Sequence, residues 1–386
     1  MSTYPTYKLG EILSYEQPTN YIVESTEYDD SYPVPVLTAG KSFILGYTNE
    51  TKGVYDKVPV IIFDDFTTAS KFVDFKFKVK SSAMKILSCD DSIADIKYMY
   101  YLMQITHIQS DTHKRYWISD YYKIPVSLPP LPTQHQIVSR IESLFAELDK
   151  AVEHLRTAQQ QLKTYRQAVL NHWLNNEDGK WETVNIQYFL DKSSKGMTTG
   201  PFGSALKKSE HQSSGVPVLG IENIGEGSFK MPNKIFVTEE KAKELKGFMV
   251  QSEDIIISRS GTVGEICKVP TFMNGALLST NLIRVRLNLD VISADYFVLL
   301  FQCSQIRQQV KDLCKGTTRA FLNQTILNQI EFPFPPLPKQ QRIVEEIETR
   351  LSQAEAAEAR IAEALQKTEA LRQSILKKAF SGELNL

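Results

Sequence analysis

Two long stretches of the chain place apolar residues at alternating intervals of four and three. The first set is Ile137, Ile141, Leu144, Leu148, Ala151, Leu155, Ala158, Leu162, Tyr165 and Val169. The second set lies at matching positions, is rich in alanine and has one basic interruption at Arg350: Ile343, Ile347, Arg350, Ala354, Ala357, Ile361, Ala364, Thr368, Leu371 and Ile375. This spacing predicts two α-helices that each present one narrow seam, as in a coiled coil. Because the second seam is rich in alanine, the two helix axes are expected to approach closely.

The two stretches are copies of one another. LPPLPTQHQIVSRIESLF at residues 128–145 is matched by FPPLPKQQRIVEEIETRL at residues 334–351, and the match continues without a gap to Leu174 and Phe380. The copies lie 206 positions apart, so the repeated object is the size of a domain. Each helix is predicted to begin after a proline and to run for about 37 residues, or about 55 Å. The helices can bury each other's seams, although each could instead pack only on its neighbouring domain.

The rest of the chain is rich in short apolar and β-branched runs, which predict strands. The order of the parts agrees between the halves: YPVPVLTAG corresponds to GVPVLGIEN, KVPVIIF to EDIIIS, and IADIKYMYYLMQ to ISADYFVLLFQ. We therefore predict a mixed α/β fold with two globular domains, residues 1–127 and 175–333. These alternate with an antiparallel pair of coiled-coil helices, at residues 128–174 and at residues 334–386 with the tail. The halves are expected to be related by a pseudo-twofold axis.

Composition narrows the class of protein. Hydrophobic residues make up 42% of the chain and charged residues 23%, values typical of a folded globular protein. The sequence shows neither a signal peptide nor an apolar run of membrane-spanning length, so we expect a cytoplasmic location without membrane contact. The four cysteines form no CxxC pair, which argues against a zinc site. The net charge of −1 argues only weakly against nucleic acid as a partner, since a basic stripe can be local.

This arrangement resembles the specificity subunit of type I restriction-modification systems (HsdS). The resemblance rests on PPLPKQQRIVEEIE at residues 335–348, on YRQAVL and LRQSIL near the helix ends, and on the duplication itself, and it covers essentially the whole chain. It implies that each globular domain is a target recognition domain that reads one half of a bipartite sequence in double-stranded DNA. The helices would fix the gap between the half-targets and dock two methyltransferase subunits, through which restriction and translocase subunits would join. S-adenosylmethionine would be held by the methyltransferase partners, and this chain would bind no cofactor.

Glycine turns with basic and hydroxyl side chains mark the candidate DNA contacts, because such groups reach phosphates and base edges. In the second domain, GPFGS and SRSGTVG resemble motifs of the family's recognition domains. The candidates there are Lys195, Thr199, Ser204, Asn223, Arg259, Ser260, Thr262, Lys315 and Arg319. In the first domain they are Lys41, Tyr47, Asn49, Thr67, Thr68, Lys71, Arg115 and Tyr116. Asp64 and Asp65, which replace the basic motif there, are expected either to accept from cytosine amino groups or to organise their loop.

The sequence shows no catalytic motif. The double prolines of LPPLP and FPPLP lack the Asn/Asp-Pro-Pro-aromatic pattern of an adenine methyltransferase, and no GxxxxGK[ST] loop is present. Glu265 and Lys268 have the wrong spacing for a carboxylate-lysine nuclease. We predict no metal ligands and no catalysis by the chain alone. Two alternatives stay open: a coiled-coil adaptor without sequence-selective DNA binding, and an enzyme with an unrecognised active site.

Overall fold

A computed structural model describes residues 4–40, 42–106, 115–175, 181–202, 205–314 and 321–384. The chain forms two compact units. The first unit combines Met1–Arg156 with Ala362–Leu386, and the second unit is Thr157–Ile361. Each unit therefore contains one globular region, the beginning of one long helix and the end of the other.

The globular region of the first unit contains nine strands and three α-helices in its described residues. They are β1 (Thr6–Lys8), α1 (Leu9–Ile12), β2 (Leu13–Glu16), β3 (Val34–Leu37), β4 (Ile44–Thr48), β5 (Val60–Asp64), β6 (Ser70–Val73), β7 (Lys78–Val79), β8 (Met84–Cys89), α2 (Ile96–Ile105), α3 (Tyr116–Ser119) and β9 (Pro125–Ser127). The first long helix, α4, spans Leu131–Leu174. The strands form a four-stranded sheet in the order β2-β8-β5-β6, a three-stranded sheet β4-β3-β7 and the pair β1-β9.

The second unit repeats this list with small changes. Its elements are β10 (Glu182–Val184), β11 (Met197–Thr199), β12 (Val216–Leu219), β13 (Phe236–Val237), α5 (Glu239–Glu244), β14 (Ile255–Ser258), β15 (Ile266–Lys268), β16 (Leu277–Leu278), β17 (Leu282–Val285), α6 (Ala294–Gln302), α7 (Ser304–Leu313), α8 (Gln324–Leu327) and β18 (Phe332–Phe334). The second long helix, α9, spans Leu337–Ser381. The sheets are β11-β17-β14-β15, β13-β12-β16 and the pair β10-β18.

The two units share one topology, which confirms the mixed α/β repeat predicted from the sequence. In each, the tetrapeptide VPVL forms the middle strand of the smaller sheet, as β3 and as β12, and pairs in parallel with β7 or β16. In each, the main sheet separates two apolar cores. Ile255 and Ile257 of β14 face one core while Ile256 faces the other, because successive side chains of a strand point to opposite sides.

One buried glutamine attaches each globular region to the beginning of a long helix. The side chain of Gln134 accepts from the backbone N–H of Asp95 at 2.8 Å and donates to the carbonyls of Ile93 and Pro129. Gln340 makes the same three bonds in the second unit, to Ser293, Val291 and Pro335. Both glutamines have no exposed surface. These buried bonds give a physical reason why the PPLPxQ motif occurs twice in the sequence.

The long helices exceed the predicted length. They contain 44 and 45 residues, which correspond to about 66 Å. Both helices begin inside the proline-rich motif, with Pro132 and Pro338 at the second helical position. Proline is tolerated there because a backbone N–H at that position has no partner within the helix. In the described residues, no helix is both long and apolar enough to cross a membrane.

Sixteen of the twenty predicted seam residues are buried or half-buried, in the middle of the helices as well as at their ends. Four predicted seam residues are exposed instead: Ala151, Tyr165, Arg350 and Leu371. The residues that follow them are half-buried in their place: Val152, Arg166, Leu351 and Arg372. The predicted positions resume after each exception, for example at Leu155 after Ala151 and at Ala354 after Arg350.

Two equivalent arginines connect the paired helices. In the second unit, Arg166 donates two bonds of 3.1 Å to the carboxylate of Glu358. In the first unit, Arg372 pairs with Asp149, and its guanidinium lies 4.8 Å from the ring centre of Phe145. In both units the beginning of one long helix thus meets the end of the other. The two helices are therefore antiparallel, as predicted.

Candidate nucleic-acid interface

The loop that follows β14 gathers most of the second unit's predicted motif. Arg259 comes directly after the buried strand, and Gly261 and Gly264 adopt φ values of +77° and +83°, which favour glycine. Backbone bonds fix the start of the loop: the N–H of Arg259 donates to the carbonyl of Asn281, and its carbonyl accepts from Leu322. The loop is thus attached to the strand beside it and to the segment that precedes α8.

The side chain of Arg259 is packed inside this loop rather than extended into solvent. Only 7% of the residue is exposed. Its guanidinium carbon lies 4.9 Å from the ring centre of Phe202 and 4.2 Å from that of Phe321, and Nη1 donates to the carbonyl of Thr280 at 3.3 Å. Burial lowers the pKa of Arg259 from its ordinary value, although a guanidinium remains charged at neutral pH. In the part of the chain that the structure describes, the cation is held by ring faces instead of by a carboxylate.

Three of the predicted hydroxyl side chains form hydrogen bonds in this loop and at the end of β11. Ser260 Oγ donates to Asn281 Oδ1 at 2.9 Å, and Thr262 Oγ1 donates to Ser258 Oγ at 3.3 Å. Thr199, at the end of β11, accepts through Oγ1 from Gln324 Nε2 at 3.1 Å. Thr262 is exposed, whereas Ser260 and Thr199 are half-buried. The structure therefore brings four of the predicted residues into one surface region of the second unit.

The first unit builds its equivalent loop from acidic residues. The N–H of Asp65 donates to the carbonyl of Ala83, and its carbonyl accepts from Tyr116, which are the two backbone bonds made by Arg259. Its carboxylate is buried, lies 3.4 Å from Lys85 Nζ and accepts from the N–H of Trp117 at 2.8 Å. Equivalent positions thus hold an anion in one unit and a cation in the other.

Asp64 organises the turn between β5 and β6. Its Oδ1 accepts from the N–H groups of Phe66 and Thr67, both at 2.9 Å. Thr68 adopts a φ of +60° at the end of this turn. The carboxylates of Asp64 and Asp65 are therefore used inside the unit, which favours the loop-organising alternative over contacts with cytosine amino groups.

The predicted site residues differ in exposure. The exposed ones are Asn49, Thr67, Arg115, Lys195 and Thr262, and the half-buried ones are Tyr47, Thr68, Lys71, Thr199 and Ser260. Tyr116, Asn223 and Arg259 are buried. Lys41, Ser204, Lys315 and Arg319 lie outside the described residues.

Position within each unit divides the candidates further. Thr67, Thr68, Arg115 and Tyr116 lie around Asp65, whereas Tyr47 and Asn49 belong to the smaller sheet or follow it. Lys195 precedes β11 and Thr199 ends it, so the lysine lies at the other end of that strand. Asn223 accepts from the N–H of Gly220 and donates to the carbonyl of Lys230. The side chains of Asn223 and Tyr116 are buried in this structure, and their role as DNA contacts stays a prediction.

Sequence reasoning missed several residues of these loops. The predicted DNA contacts include neither Asn281 nor the rings of Phe202 and Phe321, although all three lie at this loop. Lys85 and Trp117 complete the environment of Asp65 from distant parts of the sequence. One usable signal lies in STNLIRV, residues 279–285, where polar residues directly precede a buried strand and are therefore placed beside the loop of the neighbouring strand. The pairing of rings with Arg259 has no such signal.

The described residues contain no cluster of three or more histidine, cysteine, aspartate or glutamate side chains that could hold a metal ion. The four cysteines are free. Burial raises the pKa of Cys267 to about 12, and burial with the nearby carboxylates of Asp91, Asp95 and Asp90 does the same for Cys89. At neutral pH these two side chains are therefore neutral thiols rather than nucleophilic thiolates.

Comparison with known proteins agrees with this arrangement. The family described as "Type I restriction modification DNA specificity domain" matches residues 1–155 and 180–367. The specificity subunit of the type I restriction enzyme EcoR124I/EcoR124II from Escherichia coli is 34% identical over 360 residues, which cover 87% of this chain and 84% of that protein. The MjaVIII specificity subunit from Methanocaldococcus jannaschii is 24% identical, and the match covers 75% of this chain and 71% of that protein.

Solved structures show the same fold. A chain from a type I restriction-modification system, studied for complex assembly and conformational transition, superimposes with a TM-score of 0.73 over the full length of both chains, at 18% identity. The HsdS subunit from Thermoanaerobacter tengcongensis gives a TM-score of 0.60 at 17% identity and covers 100% of this chain and 98% of that one. With its duplicated topology, its antiparallel long helices and the match of the family over most of its length, the chain belongs to the type I restriction-modification DNA specificity family.

Proposed function

We propose that this chain gives a type I restriction-modification complex its DNA sequence specificity. Each globular region would read one half of a bipartite target in double-stranded DNA. The long helices would set the gap between the two halves. DNA and the other subunits of the complex are the partners that family membership implies.

The observation that carries this proposal is the contrast between a shared backbone and different loop chemistry. Asp65 and Arg259 make the same backbone bonds, yet one side chain is an anion beside Lys85 and the other a cation between Phe202 and Phe321. A duplicated adaptor gains nothing from opposite charges at equivalent loop positions. Readers of two different DNA half-targets require loops with different exposed groups, because base edges are distinguished by donors, acceptors and methyl groups, and the two buried residues support loops that differ in this way.

The DNA-facing surface would be formed by the loops around Asp65 and Arg259. Among the predicted residues, the exposed or half-buried side chains there are Thr67, Thr68, Arg115, Thr199, Ser260 and Thr262. Hydroxyl and basic groups of this kind contact phosphates and base edges. The buried aspartate and arginine would position these side chains and would not themselves touch DNA in this conformation.

The chemistry would be supplied by partner subunits. We propose that two methyltransferase subunits dock on the long helices, hold S-adenosylmethionine and methylate an adenine in each half-target. Restriction and translocase subunits would join through them. The two similar halves of this chain support a stoichiometry of two, since each half offers an equivalent surface. The chain itself would act without catalysis, as the specificity subunit of the complex.

The proposal is tested by selecting DNA from a randomised pool with the purified complex of this chain and its methyltransferase subunit. We expect enrichment of one motif with two short defined blocks and a gap of fixed length. Replacing Ser260 and Thr262 with alanine should alter one block, and replacing Thr67 and Thr68 should alter the other. Enrichment of no motif by the wild-type complex would favour the adaptor alternative.

A further inference from the structure

We infer that Asn281 reads an adenine in the half-target of the second unit, with Ser260 fixing the orientation of its carboxamide. This inference rests on the proposed function and deepens it. It assigns one base-specific contact to a residue that the sequence motifs do not single out.

Asn281 occupies a well-fixed place at the candidate interface. It directly precedes β17, and its carbonyl accepts from the N–H of Arg259 at 3.0 Å. The residue that follows it, Leu282, is completely buried and pairs with Ser258. The side chain of Asn281 is nevertheless exposed. A rigid backbone thus carries a solvent-facing carboxamide beside the loop of Ser260 and Thr262.

A hydrogen bond orients this carboxamide. Ser260 Oγ donates to Asn281 Oδ1 at 2.9 Å, and the carbonyl of Ser260 accepts in turn from Ser258 Oγ at 3.0 Å. This bond uses one lone pair of Oδ1. The amide has a second lone pair on Oδ1 and two N–H donors on Nδ2 for further hydrogen bonds. In this arrangement Oδ1 faces Ser260, so the acceptor and donor of Asn281 are presented in a defined order.

An acceptor beside a donor matches one base in the major groove. Adenine offers its N6 amino group as donor and N7 as acceptor, and asparagine pairs with both. Guanine offers two acceptors at the corresponding edge, and thymine offers one acceptor and a methyl group. The carboxamide of Asn281 is therefore complementary to adenine and leaves a group unpaired against the other bases.

The first unit has no carboxamide at the equivalent position. There the backbone bond equivalent to that between Arg259 and Asn281 joins Asp65 to Ala83, so a methyl group stands where the second unit has a carboxamide. The inference therefore predicts an asymmetric effect. Changes at Asn281 should act on one block of the bipartite target and leave the other block unchanged.

The test measures DNA binding by the complex of this chain with its methyltransferase subunits, on the motif obtained by selection. In the block read by the second unit, each adenine is replaced in turn by 7-deazaadenine, which lacks N7. We expect one position at which this replacement weakens wild-type binding by about tenfold or more, the size expected for a bidentate base contact. The same replacement should have no effect on the Asn281→Ala complex.

Two further variants sharpen the result. Asn281→Asp presents only acceptors and should shift the preference at that position towards cytosine, whose N4 amino group donates. Ser260→Ala should weaken discrimination at the same position without abolishing it. Asn274→Ala, a change of another exposed asparagine in the same unit, serves as the matched control and should leave the motif unchanged.

The inference is overturned if no 7-deazaadenine replacement in that block affects the wild-type complex, a result that needs no variant to fold. It is also overturned if Asn281→Ala weakens binding to all sequences equally, because that is the effect of a purely structural residue. Failure of the proposed function looks different: the wild-type complex would then select no bipartite motif at all.

Discussion

At the scale of single residues, the two units show how one backbone position can hold opposite charges. Asp65 is stabilised by Lys85 and by the N–H of Trp117, and Arg259 by two aromatic rings and a carbonyl. In each case the stabilising groups come from distant sequence positions. The loop side chains that follow are then free to differ between the units.

The ion pair of Asp65 and Lys85 gives a direct stability test. Both side chains are almost completely buried. Lys85→Met should reduce the free energy of unfolding by about 3–5 kcal/mol, because it leaves a buried carboxylate without its cation. Chemical denaturation of the chain measures this change. The double variant Lys85→Met with Asp65→Asn should recover part of the loss, and equal destabilisation by single and double variants would contradict the account.

The buried thiols predict a pH dependence. Because burial raises the pKa of Cys267 to about 12, the folded state favours the neutral thiol. Its contribution to stability is present below the unfolded pKa, near 9, and is lost as the pH rises towards 12. A disulfide reagent at pH 8 should therefore label Cys267 only after unfolding, as followed by mass spectrometry. Fast labelling of the native chain at Cys267 would contradict its burial.

The sequence predicted the local geometry of the candidate interface better than its individual contacts. The glycines of SRSGTVG indicated a turn, and the structure has a loop after β14 in which Gly261 and Gly264 adopt positive φ values. It could not show that Arg259 is packed between Phe202 and Phe321, since all three come from separate segments. It also could not show that Asn223 is buried by its own turn.

At the scale of elements, the repeated glutamine is the strongest link between sequence and structure. Gln134 and Gln340 each satisfy the N–H of a helix N-cap residue and two carbonyls. A motif repeated in sequence thus corresponds to a repeated set of three buried bonds. This joint fixes α2 on the beginning of α4, and α6 on the beginning of α9.

Gln340→Leu should destabilise the second unit by about 3 kcal/mol or more, since it leaves buried backbone groups without partners. Thermal unfolding measures the effect. The neighbouring Gln341 is exposed, so Gln341→Leu is the matched control and should change stability by less than about 0.5 kcal/mol. Equal effects of the two substitutions would mean that the carboxamide of Gln340 does not hold the joint.

The burial of two arginines in the long helices gives a second prediction about stability. Arg372 is half-buried against Asp149 and Phe145, whereas Arg350, a predicted seam residue, is exposed. Arg372→Ala should cost about 1 kcal/mol through lost packing and pairing. Arg350→Ala should cost about 0.5 kcal/mol or less. Urea denaturation measures the free energy of unfolding of both variants. A strict heptad predicts that Arg350→Ala is the more destabilising change, whereas the observed burial predicts that Arg372→Ala is.

At the scale of the whole molecule, the sequence predicted the order of the parts well because the chain is duplicated. Both halves contain VPVL, a central apolar strand and a following helix in the same order. This agreement predicted the order of the elements in each unit. The helix lengths were underestimated, because the prolines lie inside the first turn rather than before it.

The proposed role of the helices predicts an effect of length. Seven residues inserted after Ala158 and seven after the equivalent Ala364 preserve the heptad and lengthen each helix by about 10 Å. If the helices set the gap, the selected motif should keep both blocks and gain about 3 base pairs between them, at 3.4 Å per base pair. An unchanged gap with both blocks intact would show that another element sets the spacing.

The most direct test of the central claim is the map of methylated adenine in the source genome, read by long-read sequencing with this gene intact and with it deleted. The account predicts that deletion removes methylation at one split motif, two short blocks around a fixed gap. It further predicts that a copy carrying Ser260→Ala with Thr262→Ala restores methylation with only one block altered. Contradiction would come from a split motif that stays methylated after deletion, or from one that the variant copy restores without any change in either block.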